Sequence, residues 1–186
     1  EGNNTALGYK SGEGMTTGTH NTLIGALSGD ALTTGGDNVA LGYLALTTED
    51  TGNRSVGIGS FALHNQNNDA NNDNVAIGYN AGFAMSSGVD NTLIGALAGD
   101  AITSSSQNVA LGSSALSSLT IGTANTALGY RSLFASIDGD HNTAVGYKAL
   151  EDYEDGDGNG HNTAVGSKSQ LNATTGEFNT SVGSLS

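Results

Sequence analysis

The chain contains no cysteine, no proline and no tryptophan. Without cysteine it forms no disulfide and no thiolate metal site, and its cysteine usage marks no compartment. Cations are scarce: five Lys and Arg stand against 18 Asp and Glu, a net charge of −13. That balance excludes nucleic acid, whose phosphates demand Lys and Arg, and it disfavours an anionic membrane surface. No apolar run approaches the length of a membrane span and no signal peptide is visible, so no membrane insertion is expected. Aromatics are also few, with four Phe and six Tyr among 186 residues. Burial therefore depends on many small aliphatic groups, which calls for a thin, extended core rather than a round one.

What the sequence does have is glycine, 29 of them, and a period. The unit is an Asn, a β-branched residue, a small residue, an aliphatic one and a Gly, as in Asn4-Thr5-Ala6-Leu7-Gly8. It returns at Asn21, Asn38, Asn74, Asn91, Asn108, Asn125, Asn142, Asn162 and Asn179, with a degenerate copy at Ser55. Successive starts are 17 residues apart, except for 19 between Ser55 and Asn74 and 20 between Asn142 and Asn162. A longer echo overlies this one: Asn4 to Leu46 resembles Asn74 to Leu116, as if a block of four units had been duplicated. Residues 1–186 thus read as a single repeat domain of about eleven coils, a piece of a longer fibre.

Within the unit, Thr or Val and then Leu, Ile or Val alternate with small residues at period two, the pattern of a strand. Gly follows in every copy, from Gly8 to Gly183, and three positions later comes a column of Ala or Ser, where a second short extended segment is expected. The rest is Thr, Ser, Asn, Asp and Gly, which reads as turn. Helix loses, because a fixed Gly and its β-branched neighbours weaken every turn and no 3.6 spacing survives. The fold expected is all-β: a parallel β-solenoid of 17-residue coils, stacked about 4.8 Å apart into a rod roughly 50 Å long. Stacking places like residues in ladders. The Asn column is expected to bond coil to coil and to tolerate left-handed backbone angles at the bend.

In the strand, the Thr/Val and aliphatic columns point one way and the Ala/Gly columns the other. With the aliphatic side turned into the coil, the bare side would consist of Ala6, Leu23, Ala40, Ala76, Leu93, Ala110, Ala127, Ala144 and Ala164. A smooth stripe of that kind suits the close approach of a sister chain, and leucine at 23 and 93 would otherwise stand wet. The bland alternative is that small residues are simply tolerated outside and the Gly makes a bend.

The Asn-Thr-Ala-Leu-Gly and Asn-Val-Ala-Ile-Gly signature resembles the repeats of YadA-type trimeric adhesin heads. The 17-residue length and the Thr-Thr-Gly turn (Thr16-Thr17-Gly18, Thr174-Thr175-Gly176) are similar to repeats of bacterial and phage tail-fibre domain proteins. The resemblance covers essentially the whole chain. It implies a left-handed parallel β-roll assembled as a homotrimer, extracellular, in a virion fibre or a bacterial cell-surface appendage. The adhesin-head repeat is usually shorter, so the extra residues here swell a turn or lengthen a strand.

Chemistry is harder to find. His20, His141 and His161 share the column before the Asn, where other copies have Asp, Gln, Ala or Phe, so the position reads as a solvated turn. His141 and His161 fall in adjacent coils, but two imidazoles make no metal site. Asp155, Asp157 and Asn159 alternate as at the start of a calcium loop, yet no Glu closes it at the expected distance. A solvated acidic loop competes with that calcium reading. Residues 65–73 form an amide-rich bulge that could meet a polar ligand, or be merely a loop. The tyrosines Tyr9, Tyr43, Tyr79, Tyr130 and Tyr147 follow the invariant Gly. They either make outer rungs suited to sugar stacking or cover the edge of the core. No serine is tied to a histidine and carboxylate by a recognisable motif, no phosphate loop is implied, and no cofactor or enzyme activity is expected.

The function expected is therefore structural and adhesive: a trimeric shaft or head segment that offers loops to a cell-surface polysaccharide or receptor. A self-polymerising extracellular filament is the alternative, since a rod without caps exposes strand edges. An ice-binding solenoid is weaker, because the Thr-Thr pair gives way to Ser86-Ser87, Thr120-Ile121 and Ile137-Asp138.

Overall fold

The computed structural model describes residues 2–154 and 159–186. It is a β-solenoid. Eleven three-residue strands form one parallel sheet in chain order: β1 (Thr5–Leu7), β2 (Thr22–Ile24), β3 (Val39–Leu41), β4 (Val56–Ile58), β5 (Val75–Ile77), β6 (Thr92–Ile94), β7 (Val109–Leu111), β8 (Thr126–Leu128), β9 (Thr143–Val145), β10 (Thr163–Val165) and β11 (Thr180–Val182). Each strand pairs with the next in register, Thr5 against Thr22 and Ala6 against Leu23. Both insertions are absorbed outside the sheet, because Val56 still meets Val75 and Thr143 still meets Thr163. Among the described residues there is no helix, and none long and apolar enough to cross a membrane.

The sheet faces the opposite way from the expectation. Leu23, Ala40, Ala76, Leu93, Ala110, Ala127, Ala144 and Ala164 are all buried inside the single chain. Ala6 shares their column and is exposed in the outermost strand. The Thr/Val and aliphatic columns point outward instead. This inversion has a steric cause: a 17-residue coil is too narrow to hold two large residues per strand across from its own far wall. Space is shared between the strand centre and the fourth residue after the invariant Gly. In five coils whose strand offers Ala or Gly, that position is a buried leucine: Leu46, Leu63, Leu116, Leu133 and Leu150; beside Ala6 and Ala76 it is Gly12 and Gly82, and beside Ala164 it is Gln170. Where the strand offers Leu23 or Leu93, it is glycine. A Cβ on Gly29 would lie 2.8 Å from Leu23, and one on Gly99 would lie 2.9 Å from Leu93. Each of these leucines also leans on the preceding coil, at 2.9 Å from a Cβ on Gly12 and 3.1 Å from one on Gly82.

The second extended segment is absent as a strand. After each Gly the backbone runs through turns with left-handed residues at alternate positions, such as Leu44 (φ 54°) and Leu46 (φ 52°), or Phe61 (φ 61°) and Leu63 (φ 51°). Leucine accepts this conformation at a cost of about 1–2 kcal/mol, because the neighbouring coils satisfy its backbone on both sides. Leu44 N–H donates back to Ala26 O at 3.1 Å, and Leu46 N–H donates forward to Ala62 O at 3.0 Å.

The invariant Gly has two reasons. Its φ lies at 128–144°, and a Cβ on Gly95 would stand 2.5 Å from the carbonyl oxygen of Gly112 in the next coil. The asparagine ladder forms as expected: Asn38 N–H donates to Asn21 Oδ1 at 2.9 Å, and Asn38 Nδ2 donates to Gly52 O at 2.9 Å. The left-handed residue at that bend, however, is the one before the Asn, as at His20, Asp37 and Gln107 (φ 60°, 59° and 62°).

Candidate binding faces of the rod

Two surfaces are positioned by this fold. The first is the outer face of the sheet. Its strands carry no charged residue, and their outward columns stack Thr or Val beside Leu, Ile or Val in all eleven coils. Leu41 and Leu111 are 40% and 48% exposed there. Parallel pairing at fixed register keeps this stripe continuous, with most of its outward side chains half-buried against their neighbours in adjacent coils.

The second surface is the edge just after the invariant Gly, where the tyrosines stand outside rather than over the core. Tyr9, Tyr43, Tyr79, Tyr130 and Tyr147 are all exposed. Tyr130 and Tyr147 stack at 5.6 Å between centroids, 14° from parallel, as like residues in adjacent coils should. Tyr43 and Tyr79 do something else: each sets its ring edge-on to Phe61, at 5.4 and 6.2 Å. Phe61 also meets His64 and Phe83, and His64 stacks on Phe83 at 5.0 Å. Five rings thus gather across coils three to five. Phe61, His64 and Phe83 were missed from the sequence, although His64 and Phe83 each lie five residues past their Gly and are therefore adjacent rungs. Phe61, Tyr79, Asn80 and Phe83 line an open cleft of about 250 Å³.

The amide-rich bulge is only partly a protrusion. Asn67, Asp69 and Asn71 are exposed, but Gln66 and Asn72 are fully buried around Glu49, itself buried. Glu49 accepts from Gly52 N–H at 2.8 Å, Gln66 Nε2 at 3.0 Å and Asn72 Nδ2 at 2.9 Å. Gln66 also donates to Ser55 Oγ at 2.7 Å and accepts from Asn74 Nδ2 at 2.9 Å. The network thereby carries the asparagine ladder past Ser55, the one unit lacking its Asn.

Asp155 and Asp157 of the calcium reading lie outside the described residues. Asn159 is exposed and offers its backbone carbonyl to Tyr153 OH at 3.4 Å. Among the described residues, no three His, Cys, Asp or Glu side chains converge as metal ligands. Glu151, from the same acidic run, is buried and ion-paired to Arg131 Nε at 2.7 Å and Lys148 Nζ at 3.0 Å. His141, His161 and Phe178 stack in one column at 4.7 and 5.0 Å, within 6° of parallel. Rings stacked face to face aim their nitrogens side by side, which is a stacking geometry and not a chelating one. Burial pushes the Asp100 carboxyl above the ordinary carboxylate range, and a 2.6 Å hydrogen bond from Ser117 Oγ works against that shift.

The fold and these surfaces define a β-solenoid repeat protein. Comparison of the chain with known protein families, curated proteins and solved structures gives no match.

Proposed function

We propose that the chain is a structural and adhesive fibre segment, the trimeric shaft or head of a phage tail fibre or a bacterial surface adhesin, working outside the cell. The supporting observation is the uncharged aliphatic stripe along the outer sheet face. It takes over the role that the small-residue column cannot fill, since those side chains are inside the coil. A sister chain carries the same stripe with the same axial repeat, so its ridges match over the full length of the rod, and closed rotational symmetry hides every copy of the stripe. The resemblance to adhesin-head and tail-fibre repeats points to three chains. A rod of this kind holds a tip at a distance and presents its turns in triplicate for weak multivalent contact.

Light scattering on a size-exclusion column tests the assembly. The mass of three chains is expected at micromolar concentration, and Ile77→Glu with Ile94→Glu, which buries charges in the stripe, should leave monomer. A wild-type monomer overturns the trimer. Masses that grow without limit as concentration rises favour the filament reading, in which the open edges of β1 and β11 pair end to end.

A further inference from the structure

We propose that the cleft between Phe61, Tyr79, Asn80 and Phe83 is a binding site for a neutral sugar ring. The proposal rests on the adhesive reading and gives it a location and a ligand class. A pyranose presents apolar C–H faces and a rim of hydroxyls, so its site needs an aromatic wall beside amide donors and acceptors. The cleft has both. Phe61 is held in a left-handed turn, φ 61°, which aims it out of the coil, and it stands perpendicular to Tyr79. Edge-to-face rings leave the Tyr79 hydroxyl and one aromatic face open, and Phe83, backed by His64, forms the other wall.

Asn80 contributes the polar part. It is also left-handed (φ 55°), and its Oδ1 is buried with no donor among the described residues. A turn of the amide brings that acceptor, or the Nδ2 beside it, to a ligand hydroxyl. His64, which backs Phe83, is itself held by Asn65 Oδ1 at 2.8 Å from its Nδ1. The volume of about 250 Å³ falls below the range of drug-sized sites, roughly 300–1,000 Å³, and suits one ring of a chain rather than a whole oligosaccharide. None of the four lining residues is charged, and the net charge of −13 repels uronates and sialates. A neutral hexose or N-acetylhexosamine is therefore the class expected.

The other tyrosines serve as controls within the same molecule. Tyr130 and Tyr147 stack flat on each other, and Phe134, in the column of Phe83, is capped by the Arg131 guanidinium at 3.9 Å instead of standing open.

The test is an array of immobilised neutral and acidic oligosaccharides probed with wild-type protein and with Phe83→Ala, Tyr79→Ala, Asn80→Gly and Tyr147→Ala. Asn80→Gly removes the amide while keeping a residue suited to the left-handed angle. Retained melting temperature marks each variant as folded, and scattering mass is measured alongside. Binding to neutral spots is expected, weakened about tenfold or more by the three cleft variants and unchanged by Tyr147→Ala. No wild-type binding to any neutral spot overturns the site, as does equal binding by Phe83→Ala and Asn80→Gly, or loss with Tyr147→Ala instead. A cleft variant that falls to monomer shows the rings to be a subunit contact and likewise overturns it. If the wild type is monomeric yet binds neutral sugar through the cleft, the assembly fails and the site stands.

Discussion

Exchanging which side of the coil carries the leucine at coil six is the sharpest perturbation the packing allows. Leu93→Ala removes a fully buried side chain that fills the space over Gly82 and Gly99. Substitutions of this kind cost about 3–5 kcal/mol, since a rigid rod closes little of the cavity. Gly99→Leu alone forces a side chain against Leu93 at 2.9 Å and Ile102 at 2.8 Å, and it places leucine at a left-handed φ of 56°. Overpacking and backbone strain together cost about 2–5 kcal/mol. Independent effects would sum to about 5–10 kcal/mol. The double variant, however, recreates the arrangement of Ala110 with Leu116, where leucine already sits at φ 54°. It retains the strain and some emptiness over Gly82, about 2–3 kcal/mol in all. A favourable coupling of about 3 kcal/mol or more is expected, read by chemical denaturation at one fixed protein concentration so that assembly does not move the midpoint. Additivity within about 0.5 kcal/mol would refute the account of the core as one leucine shared between two columns.

Asn108→Ala should strip the partners from Asn125 N–H and Gly122 O, now at 3.0 Å each, and cost at least about 2 kcal/mol in the same denaturation assay. Gly95→Ala should fail to fold, as judged by circular dichroism, because its φ of 137° and the 2.5 Å approach to Gly112 O both refuse a Cβ. Glu49→Gln sets an amide donor against the amides of Gln66 and Asn72 and should lower stability by about 1–3 kcal/mol, visible as a fall in melting temperature. Asp100 holds its proton more tightly folded than unfolded. Its contribution is therefore intact below the unfolded value, about 3.9, and is lost as pH rises through the higher folded value. Asp100→Asn, which can still accept from Ser117, should flatten that decline in urea titrations at stepped pH, and an unchanged slope would refute it.

The period, the coil and the parallel stacking were legible because identical letters at fixed spacing have one cheap reading. The direction of the sheet was not. Period-two alternation separates two faces without saying which is inside, and the habit of placing larger aliphatics inward failed against the width of the coil. The counter-signal was present: Gly12, Gly29, Gly82 and Gly99 occur only beside strands that contain, or neighbour, Leu23 and Leu93. The turns with left-handed leucines were illegible for a different reason. Leu44 and Leu46 carry no local preference for positive φ, and only hydrogen bonds from both adjacent coils hold them there. Of the candidate sites, the Tyr rungs and the pairing of His141 with His161 followed from column logic. The five-ring cluster needed side-chain directions at the left-handed turn of Phe61, which no column count supplies.

Because Leu23 leans over glycines in its own coil and in the coil before it, coils are not freely interchangeable bricks. The exchangeable quantum in that stretch is a couplet, 34 residues and about two strand spacings long. Coils around Leu23 and Leu93 can therefore be gained or lost with the interior kept filled only where the crossover respects couplets. A cut within one would leave a leucine facing a leucine, or a void facing a void, whereas coils seven to nine, each pairing a strand alanine with Leu116, Leu133 or Leu150, can be gained or lost singly.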